Sequence, residues 1–227
     1  MTSEMKLASF TDRHIVSEMK LTALTDRYIV LDNCLPPSVH HDVWVNVCQE
    51  DLFTANISRE WSPTWRVDGQ PPASSPSYQK SKGGYQNYAL VAEQLFLGLV
   101  KHFDKLFAGL EWKDLRIHSH IATRGTKLNW HTDRHGYCAF TYYAHMTWGS
   151  TWGGELFIPE APTLEEKPPR IYDSKYWDSY LANGFGTYIA PKPNRCVLVF
   201  PGVVHSFARI DPDAGDAVRV SIVGFLQ

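Results

Sequence analysis

His131 and Asp133 stand two residues apart, separated by Thr132, in the stretch Trp130-His131-Thr132-Asp133. In an extended chain the side chains alternate with period two, so this imidazole and this carboxylate leave the same face. A second imidazole, His205, follows far downstream in Phe200-Pro201-Gly202-Val203-Val204-His205. Two histidines and one carboxylate on one face of a metal ion leave its opposite face open, an arrangement that marks non-haem Fe(II) centres which must admit dioxygen. Arg219-Val220-Ser221 places a guanidinium and a hydroxyl on one strand face. A guanidinium fork offers a fixed charge and paired donors to a carboxylate.

A scaffold must bring residues 131, 133, 205 and 219 together. From residue 115 onward the chain breaks into short β-branched or aromatic runs separated by Gly, Pro, Asn and Asp. The runs are Leu115 to Thr123, Lys127 to His131, Cys138 to Met146, Glu155 to Ile158, Thr187 to Ala190, Cys196 to Phe200, His205 to Ile210 and Val218 to Leu226. About eight strands with no helix between them close naturally as a double-sheet jelly roll, whose mouth holds a ligand. The expected fold class is therefore mainly β with flanking helices around a double-stranded β-helix (jelly-roll) core. Upstream, Tyr28 to Leu31 is a predicted strand, and Asp32 to Ser38 a turn. A helix with proline at its start then runs to about Gln49. A second helix, which keeps helical spacing in Leu90, Val91, Leu95, Leu99 and Phe103, covers about Tyr88 to Phe107. Residues 54–85 form a long aperiodic loop carrying Arg59, Trp61, Trp65 and Arg66, and loops of that length are usually lids or mobile segments. Residues 160–185 are an insertion expected as a surface loop near the site mouth.

The 227 residues, 44% hydrophobic and 13% aromatic, suffice for one large domain and exclude a disordered chain. A formal net charge of −2 without a basic block argues against a nucleic-acid partner. No apolar run approaches the roughly 20 residues needed to span a bilayer, and the N-terminus lacks an apolar signal core. Cys34, Cys48, Cys138 and Cys196 are scattered without paired spacing, which suits reduced thiols in a cytoplasmic protein. Residues 3–16 recur as 17–30 with ten of fourteen positions identical. Two copies are too few for a solenoid. This duplicated N-terminal arm, residues 1–30, is expected to add a strand at a sheet edge beside a single domain spanning 28–227. A partner-binding or homodimer-forming arm is the alternative.

From about residue 115 to the end, the chain resembles the prolyl-4-hydroxylase-like branch of the Fe(II)/2-oxoglutarate dioxygenases. Four pieces carry the resemblance, in the family's order. They are His131-Thr132-Asp133, Trp152-Gly153-Gly154-Glu155-Leu156, the run Pro191 to Phe200 leading to His205, and Arg219-Val220-Ser221 leading to Gly224-Phe225-Leu226. Tyr28 to Asn33 is also similar to the strand that opens such domains. The resemblance implies Fe(II) bound by His131, Asp133 and His205, with 2-oxoglutarate as cosubstrate. Arg219 would hold the far carboxylate of 2-oxoglutarate, with a hydrogen bond from Ser221. It implies consumption of dioxygen, release of succinate and CO2, and hydroxylation of a substrate carbon. The retained Asp133 disfavours halogenation, for which the family replaces that carboxylate with a small residue. One departure stands out. The family's basic cosubstrate residue usually follows the distal histidine by about ten positions, a distance that a longer turn extends at little cost. Here Arg219 follows by fourteen. Arg209 is the competing candidate.

Blander readings accompany several residues. His135 with His131 would make a zinc pair only on a helix. His118 and His120 alternate on one run, and one of them is expected to face the cavity. His145 is similar. Trp130, Tyr142, Tyr143 and Trp148 could line the pocket, but aromatics on strands are usually core, and Arg195 is a structural or surface residue. A small-molecule substrate, an amino acid or natural-product intermediate, is expected. A peptidyl or protein substrate and a non-catalytic cupin-like metal-binding module are the alternatives.

Overall fold

Proline at the start of a helix is tolerated because that N–H has no intrahelical partner, and Pro37 opens α1 (Pro37–Cys48) in this way. Val39, Val43 and Val47 recur every fourth residue and are all buried, so one stripe of α1 faces inward. The computed structural model describes residues 19–48, 115–133, 136–164 and 174–226, together with four two-residue strands at 54–55, 73–74, 78–79 and 83–84. The predicted helix at 88–107, the first copy of the duplication, and His135, Arg59, Trp61, Trp65 and Arg66 lie outside the described residues.

Two antiparallel sheets hold the described strands. The larger contains β1 (Lys20–Leu24), β2 (Tyr28–Asp32), β3 (Thr54–Ala55), β4 (Ala73–Ser74), β5 (Tyr78–Gln79), β6 (Gly83–Gly84), β7 (Leu115–Ala122), β9 (Cys138–Tyr143), β12 (Cys196–Val199) and β14 (Arg219–Leu226). Its main order is β1-β2-β12-β9-β14-β7-β4-β3, with β5 also on β7. The smaller runs β11-β10-β13-β8, built from β8 (Leu128–Thr132), β10 (Leu156–Pro159), β11 (Gly186–Ile189) and β13 (Val204–Phe207). This is the mainly β, jelly-roll architecture expected from the sequence.

β2, β9 and β12 of the larger sheet are covered on both faces, which explains why these strands are nearly continuously apolar rather than alternating. On one face Ile29, Leu31, Tyr142, Leu198, Val220 and Ile222 pack with the α1 stripe. On the other, Val30, Tyr143, Val197 and Val199 pack with Leu156, Ile158 and Ile189 of the smaller sheet. Each such side chain contributes about 1.5–3 kcal/mol on burial. Polar contacts fix α1 to the sheet: His40 Nδ1 lies 2.5 Å from the Tyr142 hydroxyl, and Asn194 brackets Leu35 through its amide.

Two sequence expectations need correction. Residues 160–185 are not simply a surface loop. They contain α2 (Ser174–Tyr180), which lies between β10 and β11, and α2 buries Trp177. The stretch 54–85 is not one aperiodic loop either, because β4 and β5 within it pair with β7. The second copy of the duplication forms the β1–β2 hairpin at one edge of the larger sheet.

Candidate metal centre and its cavity

β8 and β13 pair antiparallel, with His131 directly opposite His205. Regular pairing would then set Phe207 against Asn129, but its partner is Leu128. β8 therefore carries one extra residue, a β-bulge that re-aims side chains. Leu128 and His131, an odd number of residues apart, both reach the same cavity because of it. Trp130 faces away, into an apolar groove with Phe157 and Tyr188. Asp133 follows the end of β8, and its carbonyl accepts from the Gly202 N–H at 3.3 Å.

The three side chains converge. One ligand atom from each of His131, Asp133 and His205 lies within 4.8 Å of the others. Asp133 Oδ2 is 3.3 Å from His205 Nε2, and Oδ1 is 4.0 Å from His131 Nε2. Each imidazole is oriented from behind. His131 Nδ1 is 2.8 Å from the Asn129 carbonyl, and His205 Nδ1 is 3.0 Å from the Val203 carbonyl. A carbonyl only accepts, so both Nδ1 atoms donate, and in the neutral ring Nε2 keeps a lone pair facing Asp133. Outer hydrogen bonds of this kind fix a metal-binding histidine. Burial pushes the His131 imidazole down to about 4, helped by the His205 ring and opposed by Asp133. Burial acts the same way on His205, but there the hydrogen bond and charge of Asp133 and the Val203 carbonyl outweigh it and the pKa rises. The donor set, two oriented imidazole nitrogens and one carboxylate, fits a divalent first-row metal ion.

These residues line one wall of a cavity of about 350 Å3 between the two sheets. The larger sheet forms the opposite wall. Its registers set Tyr143, Ser221 and His120 in one row across three strands, then Thr141, Val223 and His118, then Ala139, Phe225 and Arg116. Arg219 closes the deep end, only 4% exposed. Its guanidinium carbon sits 5.0 Å from the Tyr143 ring centre and 4.5 Å from that of Phe207. Its Nε is buried without a hydrogen-bond partner among the described residues. A buried cation with an unused donor fits an anionic ligand group. Gly153 and Gly154 make room here, both at positive φ. A Cβ on Gly153 would strike the Arg209 carbonyl oxygen, and one on Gly154 would lie 3.0 Å from Arg219 Cδ.

The sequence-predicted candidates separate clearly. His131, Asp133, His205, Arg219 and Ser221 all line this cavity. Arg209 does not; it donates to the Gly125 carbonyl at 2.7 Å. His118 and His120 both line it, where one was expected. His145 is core, within 3.2 Å of the Val220 carbonyl and 2.7 Å of the Pro191 carbonyl. Arg195 is structural, bound to Asp32. Tyr143, weighed as pocket lining or core, is fully buried and flanks Arg219. The sequence left both readings open, because an aromatic on a strand is ordinarily packing. The 160–164 stretch runs beside the centre: the Leu164 N–H donates to the carbonyl of Gly202.

No protein-family model and no curated protein matches the chain, but solved structures do. A prolyl-4-hydroxylase from Pseudomonas putida gives a TM-score of 0.57 at 17% identity, over 89% of this chain and 93% of that one. A prolyl hydroxylase from Trichoplax adhaerens, solved with a hypoxia inducible factor peptide fragment, gives 0.58 at 16% identity over 89% and 84%. HygX from Streptomyces hygroscopicus, solved with nickel, 2-oxoglutarate and hygromycin B, gives 0.56 at 10% identity over 99% and 86%. The chain thus has the jelly-roll fold that these hydroxylases and HygX share, the fold its resemblance to the Fe(II)/2-oxoglutarate dioxygenases implied.

Proposed function

We propose that the protein is an oxygenase that couples oxidative decarboxylation of 2-oxoglutarate to hydroxylation of an unactivated C–H bond. The observation that carries this reading is one cavity with a two-histidine-one-carboxylate cluster in one wall and, at its deep end, a buried arginine whose Nε has no hydrogen-bond partner among the described residues. His131, Asp133 and His205 would hold Fe(II). Arg219 would pair with the far carboxylate of 2-oxoglutarate, with Ser221 adding a hydrogen bond. When bound, the metal with 2-oxoglutarate and dioxygen supplies the oxidising chemistry, releasing succinate and CO2 as one oxygen atom enters the substrate C–H bond. The chain's own residues do the positioning. The Asn129 and Val203 carbonyls hold the two imidazoles, Asp133 supplies the negative charge, and the rings of Tyr143 and Phe207 shield the Arg219 end from water.

The substrate is a small molecule in this reading, an amino acid or natural-product intermediate, which suits a cavity of about 350 Å3. A peptidyl substrate is the second reading, favoured by the fold likeness to prolyl hydroxylases. The test is anaerobic addition of Fe(II) and 2-oxoglutarate to the metal-free protein. A visible metal-to-ligand charge-transfer band, with succinate formed on admitting air, is the expected result; neither appearing overturns the proposal. A screen of amino acids, metabolites and proline-containing peptides by substrate-stimulated succinate release then separates the two substrate readings.

A further inference from the structure

Two histidines of the cavity wall have no role in the site as described. His118 and His120 project from β7 into the cavity, with ring centroids 4.5 Å apart and nearly perpendicular. His118 stacks on Phe225 at 5.9 Å, and its Nδ1 is buried with no hydrogen-bond partner among the described residues. Leaving such a nitrogen unsatisfied costs about 1–3 kcal/mol, which a ligand group in the cavity would recover.

The strand registers fix where along the cavity each ring lies. His120 shares the row of Tyr143 and Ser221, and His118 the row of Thr141 and Val223. The Arg219 guanidinium reaches the first of these rows, since it lies over the Tyr143 ring. The next row is two residues, about 6.7 Å, further along the strands. Ser221 is 2% exposed and Arg116 is exposed, so that direction leads outward. A five-carbon diacid separates its two carboxyl carbons by about 5 Å. A diacid gripped at Arg219 therefore brings its other end to the row of His118. His118 lines the same cavity as His131, Asp133 and His205.

The geometry points to His118 as a hydrogen-bonding contact for the keto-acid end of the cosubstrate, with His120 flanking the far carboxylate beside Arg219. Together the pair gauges the length of a 2-oxo diacid. This inference rests on the cofactor reading proposed above. Its test is an anaerobic titration of the Fe(II)-loaded protein with 2-oxoglutarate, read by the charge-transfer band, beside a Co(II) titration without cosubstrate. His118→Phe is expected to weaken 2-oxoglutarate binding about tenfold and shift the band, matching the loss of one hydrogen bond to a charged group. His118→Asn, which keeps a donor, restores most of the affinity, and Co(II) binding stays within twofold in both. His118→Leu provides the same comparison if the phenyl ring is not accommodated. A normal band in the unmodified protein, with the His118→Phe and His118→Leu affinities within twofold of it, overturns this inference alone. No band in the unmodified protein overturns the cofactor reading and this inference with it.

Discussion

Arg195 and Arg219 are both buried arginines of the larger sheet, 7% and 4% exposed, yet their surroundings are opposite. Arg195 is completed by the protein. Its Nε and Nη2 meet the two oxygens of Asp32 at 2.6 and 2.9 Å, and its Nη1 donates to the Ala190 carbonyl at 3.0 Å. Arg219 is flanked by two aromatic faces, keeps an unpartnered Nε, and has no ion pair with a carboxylate of the described residues. A buried charge without a counter-charge is costly. The described residues supply that counter-charge where β2 meets β12 and none at the end of the cavity. The difference separates a cation that holds the fold from one held ready for an anion that comes from outside.

The contrast can be broken experimentally, beginning with the carboxylates. Asp133→Ala should weaken metal binding by more than about 10^3-fold, exceeding the 10–100-fold typical of an outer partner, while the urea midpoint of the metal-free protein changes little. Co(II) absorption titration reads the first quantity and tryptophan fluorescence the second. Asp32→Ala should do the reverse. It strands Arg195 and should cost about 3 kcal/mol of stability by urea unfolding, the low end for breaking a buried pair because Asp32 keeps some solvent contact. Metal affinity should stay within twofold.

Arg219→Ala comes next, with about a hundredfold loss of 2-oxoglutarate affinity from removal of a charge-assisted pair of bonds. Its thermal midpoint should change little, since no carboxylate of the described residues loses its partner and only the two ring contacts are given up; a large fall in stability would show that Arg219 is structural like Arg195. The smallest effect is on pH. At Asp32 burial works to raise the carboxyl pKa, but hydrogen bonds from Arg195 and Thr22 and the charges of Arg195 and Lys192 outweigh it and lower it below 3.8. A lowered pKa contributes stability above the ordinary value that is lost as pH falls through 3.8 and beyond. Urea midpoints measured from pH 5 to pH 3 should therefore fall less steeply in Asp32→Asn than in the unmodified protein.

The elements that position the site were largely legible in the sequence. All eight predicted strands from Leu115 onward are present, their ends displaced by up to three residues, because Gly, Pro and Asn turns punctuate them. α1 was legible from the proline at its start. α2 was not. Ser174–Tyr180 is seven residues long, with aromatics at 176, 177 and 180 and no acidic residue in its first turn, too short for periodicity to stand out. In the cavity, His131, Asp133 and His205 were legible from residue type and period two. Arg219 was preferred over Arg209 for its Arg-x-Ser context, and Arg219 but not Arg209 lines the cavity. Tyr143 and the doubled histidine wall depended on strand register, which a linear reading does not supply.

The extra residue in β8 has a consequence for how this strand tolerates change. It divides the strand into two phases: one sets Leu128 against Phe207, and the other sets His131 against His205. Substitutions at Asn129 or Trp130 leave both phases intact. Deleting Asn129 would remove the bulge and leave Leu128 and His131 two residues apart, still on one face of a regular strand. The bulge thus absorbs an extra residue without turning the metal ligand away from the cavity.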